Sequence, residues 1–329
     1  MSDVRFGIIG TGMISGMFCD AVKETDGASV CAVLSRSAER GAEFARENRL
    51  VCPVFTDFEE FAGSGIDAVY VASPNCLHMK HTVDSLSRGL HVLCEKPVAS
   101  NAGEYDEMRR TAEKNGKVLL EAMRPSHDPC YGIVRDNLPR LGKIRRAALE
   151  YCQYSSRYDR FKAGEVLRAF DPSYSNAAVM DIGVYPISVC VSLFGSPTGE
   201  IRSRSVILGN GMEGAGEVIL PYGDMTAVIS YAKIFDSVNP SVIAGEYGAI
   251  KIDKLSSPKK IVFVGRDGNE EVLFTSEKDN NMRFEIRAFA DSIEKGAADP
   301  KFGDDTAITM SLIDGIRRQN GIVFPADVK

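Results

Sequence analysis

The sequence predicts an α/β protein. Its N-terminal domain is built on a parallel sheet, and its C-terminal α+β domain on a large, mostly antiparallel open sheet. Three observations carry this. An apolar run at residues 4–9 meets Gly10-Thr11-Gly12 and then a stretch of helical spacing. Apolar strands and amphipathic helices alternate through residue 122, the grammar of βαβ units. Beyond residue 143, strand-like runs predominate, several of them joined by turn sequences and interrupted by one apolar helix. The domains are expected at 1–123 and 124–329, with the strand-like IVFP of residues 322–325 drawn back to the first.

Composition sets the outer bounds. A chain of 329 residues exceeds what one core usually serves, so two domains are the starting expectation. At 44% hydrophobic and 26% charged it reads as an ordinary globular protein. A net charge of −6 without a long run of one sign argues against nucleic acid and anionic membrane as partners. Eight scattered cysteines form no C-x-x-C pair, and read as reduced residues of a cytoplasmic protein. No metal site is expected, since four histidines and no ligand cluster supply none. The N-terminus lacks a leader pattern, and no uninterrupted apolar run approaches ~20 residues, so no membrane span is expected.

In chain order, residues 4–9 form a strand buried on both faces. Gly10-Thr11-Gly12-Met13-Ile14-Ser15-Gly16 follows, between that strand and a helix reaching about residue 25. This is a dinucleotide fingerprint in its proper setting. Gly10 makes the tight turn, Gly12 lets backbone approach a pyrophosphate, and the helix N-terminus meets the phosphates. The third position is Ser15, small enough for close helix–strand packing.

The second strand, 29–34, decides the cofactor. An NAD site offers an acid at its end. This chain has Ser35-Arg36-Ser37, and the first acid is Glu39. Two hydroxyls and a guanidinium suit a 2′-phosphate, which favours NADP while leaving NAD possible. The plainer alternative, compatible with the first, makes Ser37 the N-cap of a helix over 38–48 and leaves Arg36 solvated.

A short strand at 54–55 precedes Asp57, which caps a short helix through 61. The strand at 67–72 ends in Ser73-Pro74-Asn75, where the Asn75 amide meets a cofactor. His78 opens the helix of 77–87 at the same end, although a lone histidine of this kind is more often structural than catalytic. Gly89 closes that helix. Residues 91–99, HVLCEKPVA, then give a buried strand ending in Glu95-Lys96-Pro97. Open α/β sheets bind ligands outside the carboxyl ends of their strands, so Lys96 is placed to meet a bound cofactor. The alternative is that Glu95 and Lys96 only solvate a turn. An amphipathic helix at 101–115, closed by Gly116, leads to a sixth strand at 118–122.

The second half gives strand-like runs at 147–154, 201–208, 217–220, 225–234, 241–244, 250–252, 261–264 and 271–274. Turns at 221–224 and 266–269 join them as hairpins. One sheet face should pack on helices, and the other against a second subunit in a homodimer or homotetramer. A strongly apolar helix at 176–194 carries Asp181 and Tyr185 on one face. They either bond each other in the core, or a kink at Pro186 aims the phenol at a cleft. Amphipathic helices are expected at 284–295 and 306–319.

Three stretches together carry a family resemblance: GIIGTGMIS (7–15), VASPNCLH (71–78) with HVLCEKP after it, and MDIGVY (180–185). They resemble the glucose–fructose oxidoreductase / inositol dehydrogenase / rhizopine catabolism (Gfo/Idh/MocA) family over nearly the whole chain. The resemblance implies a Rossmann domain followed by an α/β domain with a large open sheet. It implies reversible hydride transfer between NAD(P) and a hydroxyl carbon of a sugar, polyol or diol. It places cofactor residues on Gly10, Gly12, Met13, Ile14, Arg36, Asn75, His78 and Lys96, with a cis bond to Pro97; Thr11, Ser35, Ser73, Pro74 and Glu95 are expected beside them. Many members carry D-x-G-x-H-x-x-D with the histidine as proton donor. Here Tyr185 follows Asp181 and Gly183 instead, which resembles the dihydrodiol dehydrogenase / D-xylose dehydrogenase branch and its Lys/Tyr pair. The segment EAMRPSHDP (121–129) resembles that branch too, but lacks the aromatic residues those members place after EAM.

The chemistry is coherent with that pair. Hydride transfer belongs to the cofactor, and the protein must manage one proton. An ordinary tyrosine titrates near ~10, and a neighbouring ammonium favours its phenolate. Tyr185 then exchanges the proton, Lys96 binds the substrate oxygen, and Asp181 holds Lys96 or a substrate hydroxyl. The reverse assignment, with Lys96 as donor and Tyr185 as positioner, stays open. The rival classes are imine or biliverdin-like reduction and a non-catalytic, regulatory NAD(P)-binding protein.

Overall fold

The computed structural model describes residues 3–277 and 280–328, and the chain divides into two compact units. One holds the described residues up to Met123 together with Asn280–Asp304. The other begins at Arg124 and resumes at Asp305.

The first unit alternates β1 (Val4–Ile9), α1 (Met13–Lys23), β2 (Ala28–Leu34), α2 (Ala38–Glu47), β3 (Val54–Phe55), α3 (Phe58–Ala62), β4 (Ala68–Val71), α4 (His78–Ser87), β5 (His91–Glu95), α5 (Ala102–Asn115) and β6 (Leu119–Ala122). Its six strands lie in the order β3-β2-β1-β4-β5-β6, and every pairing is parallel. This is the doubly wound sheet that the alternation predicted. The winding reverses between β1 and β4, so Gly10 and Ser73 end the two strands at the switch point, where such sheets bind ligands. Phe6, Ile8, Val33, Tyr70 and Leu93 are buried, as strands covered on both faces require. The helix starts follow the capping residues. Ser37 accepts from Arg40 N–H (3.3 Å), Asp57 from Glu60 N–H (3.0 Å) and Asn101 from Glu104 N–H (2.9 Å). Each such cap stabilises by about 1 kcal/mol.

The second unit starts with α6 (Arg124–His127) and α7 (Cys130–Asn137), then β7 (Ile144–Cys152) and α8 (Tyr158–Lys162). A π-helical turn, Val179–Gly183, runs into α9 (Val184–Phe194). Then come β8 (Arg202–Ile207), β9 (Glu213–Tyr222), β10 (Met225–Ala232), β11 (Ser241–Gly245), β12 (Gly248–Ile252), β13 (Lys260–Gly265) and β14 (Glu270–Thr275). These eight strands form one sheet in the order β14-β13-β12-β11-β7-β10-β9-β8. Only β7 and β10 pair in parallel. Met225, Ala227, Ile229 and Tyr231 alternate inward on β10, toward α9.

Two expectations are corrected here. The strand expected at 217–220 begins earlier, at Glu213, because Gly214, Ala215 and Gly216 carry no apolar periodicity. Tyr231 takes the room Gly216 leaves, where a Cβ would lie 2.3 Å from its hydroxyl, and Ile234 and Leu208 crowd Gly214. The helix expected over 176–194 is not one continuous α-helix kinked at Pro186. Pro186 falls in the first turn of α9, where a missing N–H is tolerated, and the irregularity lies upstream in the π turn. Among the described residues, Pro172–Phe194 is the one helical stretch long and apolar enough to cross a membrane. Its most apolar window is 78% buried inside the protein, so its apolarity serves the core.

Then α10 (Met282–Lys295) joins the first unit. Met282, Ile286 and Phe289, spaced four and three apart, pack into the core of Phe6 and Phe18. Most of α11 (Pro300–Gln319) belongs to the second unit, as does the segment after it. The expected strand at 322–325 is therefore corrected as well. Ile322 and Phe324 are buried, but the segment pairs with no strand, and Phe324 packs under the Arg317 guanidinium at 3.8 Å. All eight cysteines are free. Cys19, Cys94, Cys130 and Cys190 are buried and the other four are partly so.

Candidate active site

In the first unit, the glycine turn is dictated by space. Gly10 has φ +111°, and a Cβ there would lie 2.4 Å from the Ala72 carbonyl oxygen. The ends of β1 and β4 approach too closely for any side chain. Gly12 is the N-cap of α1 and supplies no side-chain cap, so the first N–H groups of that helix face outward with its positive dipole end. A Cβ on Gly12 would meet no protein atom within 4 Å. A dinucleotide pyrophosphate fits this cradle. Met13 is exposed beside it, with Thr11 and Ile14 partly so. Ser15 is buried with its hydroxyl unpaired, which suits the packing role expected of a small third residue.

At the end of β2, Ser35 is buried and its N–H bonds Phe55 O (3.0 Å). Ser37 is committed to capping α2 and to the Glu39 carboxylate (2.5 Å). Arg36 is exposed beside them. The capping reading of Ser37 thus describes its hydroxyl, and Arg36 is the cation presented at this strand end.

The Lys96 turn is anchored from beneath. The Tyr70 hydroxyl donates to one Glu95 carboxylate oxygen (2.5 Å), and Lys96 N–H donates to the other (3.2 Å). The Tyr70 ring stacks on Phe18 of α1, with centroids 3.7 Å apart and 7° between planes. Glu95, expected among the cofactor residues, is instead buried and orients the lysine backbone. The Lys96–Pro97 peptide is cis. Beyond it, Val98 N–H bonds the buried Glu121 carboxylate (3.0 Å).

His78 ties this turn to the end of β4. Its Nδ1 lies 2.8 Å from Pro97 O and its Nε2 2.8 Å from Ser73 O. Burial pushes the imidazole down to about 4, opposed by the two carbonyls and helped by the Lys96 charge. At neutral pH the ring is therefore uncharged, and its single N–H serves one of the two carbonyls. His78, also expected at the cofactor, has its ring enclosed by main chain and clamps two ligand-end loops together. Ser73 bonds His81 Nδ1 through its hydroxyl (2.9 Å). Pro74 and the partly buried Asn75 follow at the same edge, Asn75 opening a short 3₁₀ turn.

The second unit builds a polar cluster around its π turn. Glu213 is fully buried and accepts three hydrogen bonds, from Ser205 (2.5 Å), Tyr231 (2.9 Å) and Val179 N–H at the turn's start (2.7 Å). Burial raises its pKa against the pull of those donors. Asp181, within the turn, pairs with Lys233 at 2.8 Å. The Lys233 ammonium also bonds Ala169 O (2.8 Å) and lies 4.9 Å from the centre of the Phe170 ring. Tyr185, one turn on and 5% exposed, accepts a hydrogen bond from the Arg124 guanidinium (3.1 Å). Tyr151 of β7 packs on the Tyr185 ring at 5.4 Å.

Asp181 and Tyr185 thus share the second unit, each with a cationic partner, while Lys96 stands in the first. Sequence reasoning did not assign Arg124, Lys233 or Glu213 a role. Lys233 carried a usable signal, a lone charge in the apolar run of 225–234. Among the described residues, no group of three or more His, Cys, Asp or Glu side chains is placed to hold a metal ion.

A six-stranded doubly wound sheet with a glycine cradle at its switch point defines the first unit as a dinucleotide-binding Rossmann domain. Residues 4–123 match the family model described as an oxidoreductase family with an NAD-binding Rossmann fold. The chain is 40% identical over 327 residues to scyllo-inositol 2-dehydrogenase (NADP(+)) IolU of Bacillus subtilis (strain 168), covering 98% of this chain and 99% of that protein. It is 25% identical over 336 residues to trans-1,2-dihydrobenzene-1,2-diol dehydrogenase of Xenopus tropicalis, with 98% and 99% covered. A crystal structure of KijD10, a 3-ketoreductase from Actinomadura kijaniata, in complex with NADP and TDP-benzene, shares the fold at a TM-score of 0.85. It is 22% identical, with 98% of this chain and 99% of that one covered. The chain belongs to the Gfo/Idh/MocA oxidoreductase family.

Proposed function

We propose that this protein is an NADP-dependent dehydrogenase that reversibly oxidises a secondary hydroxyl of a cyclic polyol of the inositol kind. The observation that carries the reading is the shared edge of the first sheet. There the uncapped N-terminus of α1 and the anchored Lys96 turn both end parallel strands. The 40% identity to an NADP-linked inositol dehydrogenase supports the substrate class. The exposed Arg36 supports a 2′-phosphate at the end of β2.

When bound, NADP would supply the hydride acceptor for the carbinol carbon in oxidation and the donor in reduction. Gly10, Thr11, Gly12, Met13 and Ile14 hold the pyrophosphate, Ser35 and Arg36 the 2′-phosphate, and Ser73, Pro74 and Asn75 line the ribose side. Lys96 binds the reacting oxygen, and Tyr185 takes its proton or gives it back. Asp181, held by Lys233, orients a neighbouring hydroxyl of the polyol.

The partly exposed Ala148, Val228, Val242 and Ala244 on the open face of the second sheet suit a homodimer or homotetramer. Light scattering tests that part. Eight free cysteines suit a reducing, cytoplasmic setting.

The central test is NADPH fluorescence titration followed by turnover of scyllo-inositol, trans-dihydrodiols and aldoses with NADP, with Lys96→Met as control. NADP-linked oxidation of scyllo-inositol that Lys96→Met abolishes is the expected result. NADPH binding without turnover on any of these substrates overturns the enzymatic reading in favour of a non-catalytic one.

A further inference from the structure

We propose that Arg124 is a positioning and charge-stabilising residue for the phenol oxygen of Tyr185. The inference rests on the reading above, in which Tyr185 carries the proton. Arg124 opens α6, and its Nη2 donates to Tyr185 Oη at 3.1 Å, with the guanidinium carbon 5.7 Å from the ring centre. An arginine has no acceptor, so the tyrosine oxygen must accept in this contact. The phenol's own proton is thereby directed away from Arg124.

The donor matters most when the oxygen is charged. In polyol oxidation the hydride leaves with its electron pair, and the substrate hydroxyl proton passes to the Tyr185 phenolate, giving a ketone and a neutral phenol. In reduction the phenol gives that proton to the carbonyl oxygen and becomes phenolate. A guanidinium N–H aimed at Oη binds the phenolate more strongly than the phenol, so it lowers the cost of every proton exchange. Other charged and titratable groups on the surrounding elements include Tyr151 and Arg145 on β7, Tyr231 on β10 with the Glu213 bonded to it, His127 on α6, Asp181 one turn earlier and the Lys233 paired with it. Of these, Lys233 is already engaged with Asp181 and Ala169. Arg124 is a cation bonded directly to the phenol oxygen.

The first test needs no substrate. In protein labelled with ¹³Cζ-tyrosine, the Tyr185 signal is assigned by its loss in Tyr185→Phe. In Arg124→Gln that signal should move at neutral pH from its position in the parent, and Arg124→Lys should restore part of the difference. The second test is a double-mutant cycle on scyllo-inositol oxidation. Arg124→Gln should cost about 100-fold in kcat in the parent, and less than about 3-fold when Tyr185 is already Phe. NADPH affinity, read by fluorescence, should not change. An unmoved Tyr185 signal in both Arg124 variants, or an equal cost in both backgrounds, overturns the proposal. Full turnover by Tyr185→Phe would instead overturn the assignment of the proton to Tyr185, while the NMR result still decides the Arg124 contact.

Discussion

The ion pair between Lys233 and Asp181 is asymmetric. The lysine side chain is 3% exposed and the carboxylate 41%. Removing either partner strands the other in a different environment. Asp181→Asn leaves a buried ammonium facing only weaker partners, which costs about 3 kcal/mol. Lys233→Met leaves a carboxylate that water can reach, which costs about 1 kcal/mol. Urea unfolding of the two variants should therefore show the larger loss for the exposed partner. Equal losses would mean that the burial of Lys233 does not govern the pair.

His78 predicts a pH dependence of stability. Its folded value lies near about 4, below the ordinary histidine value of about 6.5, because burial disfavours the imidazolium. The unfolded chain therefore binds more protons between those limits, and stability rises with pH across them. The contribution is fully present above about pH 6.5 and is lost as pH falls through about 4; its size is about 3 kcal/mol. His78→Gln should flatten this part of the pH–stability curve relative to the parent in chemical denaturation from pH 4 to 7. An unchanged slope would show that the ring is not held neutral by its enclosure. Loosening the clamp should also raise the KM for NADPH, since the loops after β4 and β5 would no longer be tied.

Much of the first unit was legible because its signals are local. Each strand of the parallel sheet is a short apolar run, and the starts of α2 and α3 carry the capping residues read there, Ser37 and Asp57. The glycine turn was legible because close backbone approach leaves few residue choices, and Gly10 makes the tight turn read for it, at φ +111° against the Ala72 carbonyl. The second unit was less so, for physical reasons. Gly214 and Gly216 serve a strand whose neighbours, Ile234 and Leu208 at the first and Tyr231 at the second, leave no room for a side chain, and small residues give no periodicity to read. The π turn has the composition of an α-helix, and its width is held by Glu213, which is 34 residues from Val179. The anchoring of Glu95 was not legible because its partner, Tyr70, reads in sequence as one more apolar residue of a buried strand. Arg124 was visible only as a motif letter, since its contact with Tyr185 spans 61 residues.

Arg36 predicts cofactor choice. It is exposed at the end of β2, where dinucleotide folds meet the adenosine ribose. A guanidinium there gains charge-assisted bonds only from a 2′-phosphate. Arg36→Ala should raise the KM for NADP by about 10- to 100-fold and change that for NAD by less than about 3-fold. Steady-state kinetics with both cofactors on one substrate checks this. A parallel loss with both would place Arg36 in folding or general affinity instead.

The two glycines of the turn should separate stability from binding. Gly10→Ala forces a side chain to φ +111° and 2.4 Å from the Ala72 carbonyl, so it should cost about 2 kcal/mol or more. Gly12 has φ −90° and ψ 177°, which any residue adopts, and its Cβ would meet no protein atom within 4 Å. Gly12→Ala should therefore change stability by less than about 1 kcal/mol, the small cost of altering an N-cap. Its methyl group would nonetheless stand where a pyrophosphate must approach the α1 N–H groups. NADPH affinity, read by fluorescence titration, should fall at least about 10-fold in Gly12→Ala while its thermal unfolding matches the parent. Parent-like NADPH binding by a stable Gly12→Ala protein would show that the cradle is not where the phosphates sit.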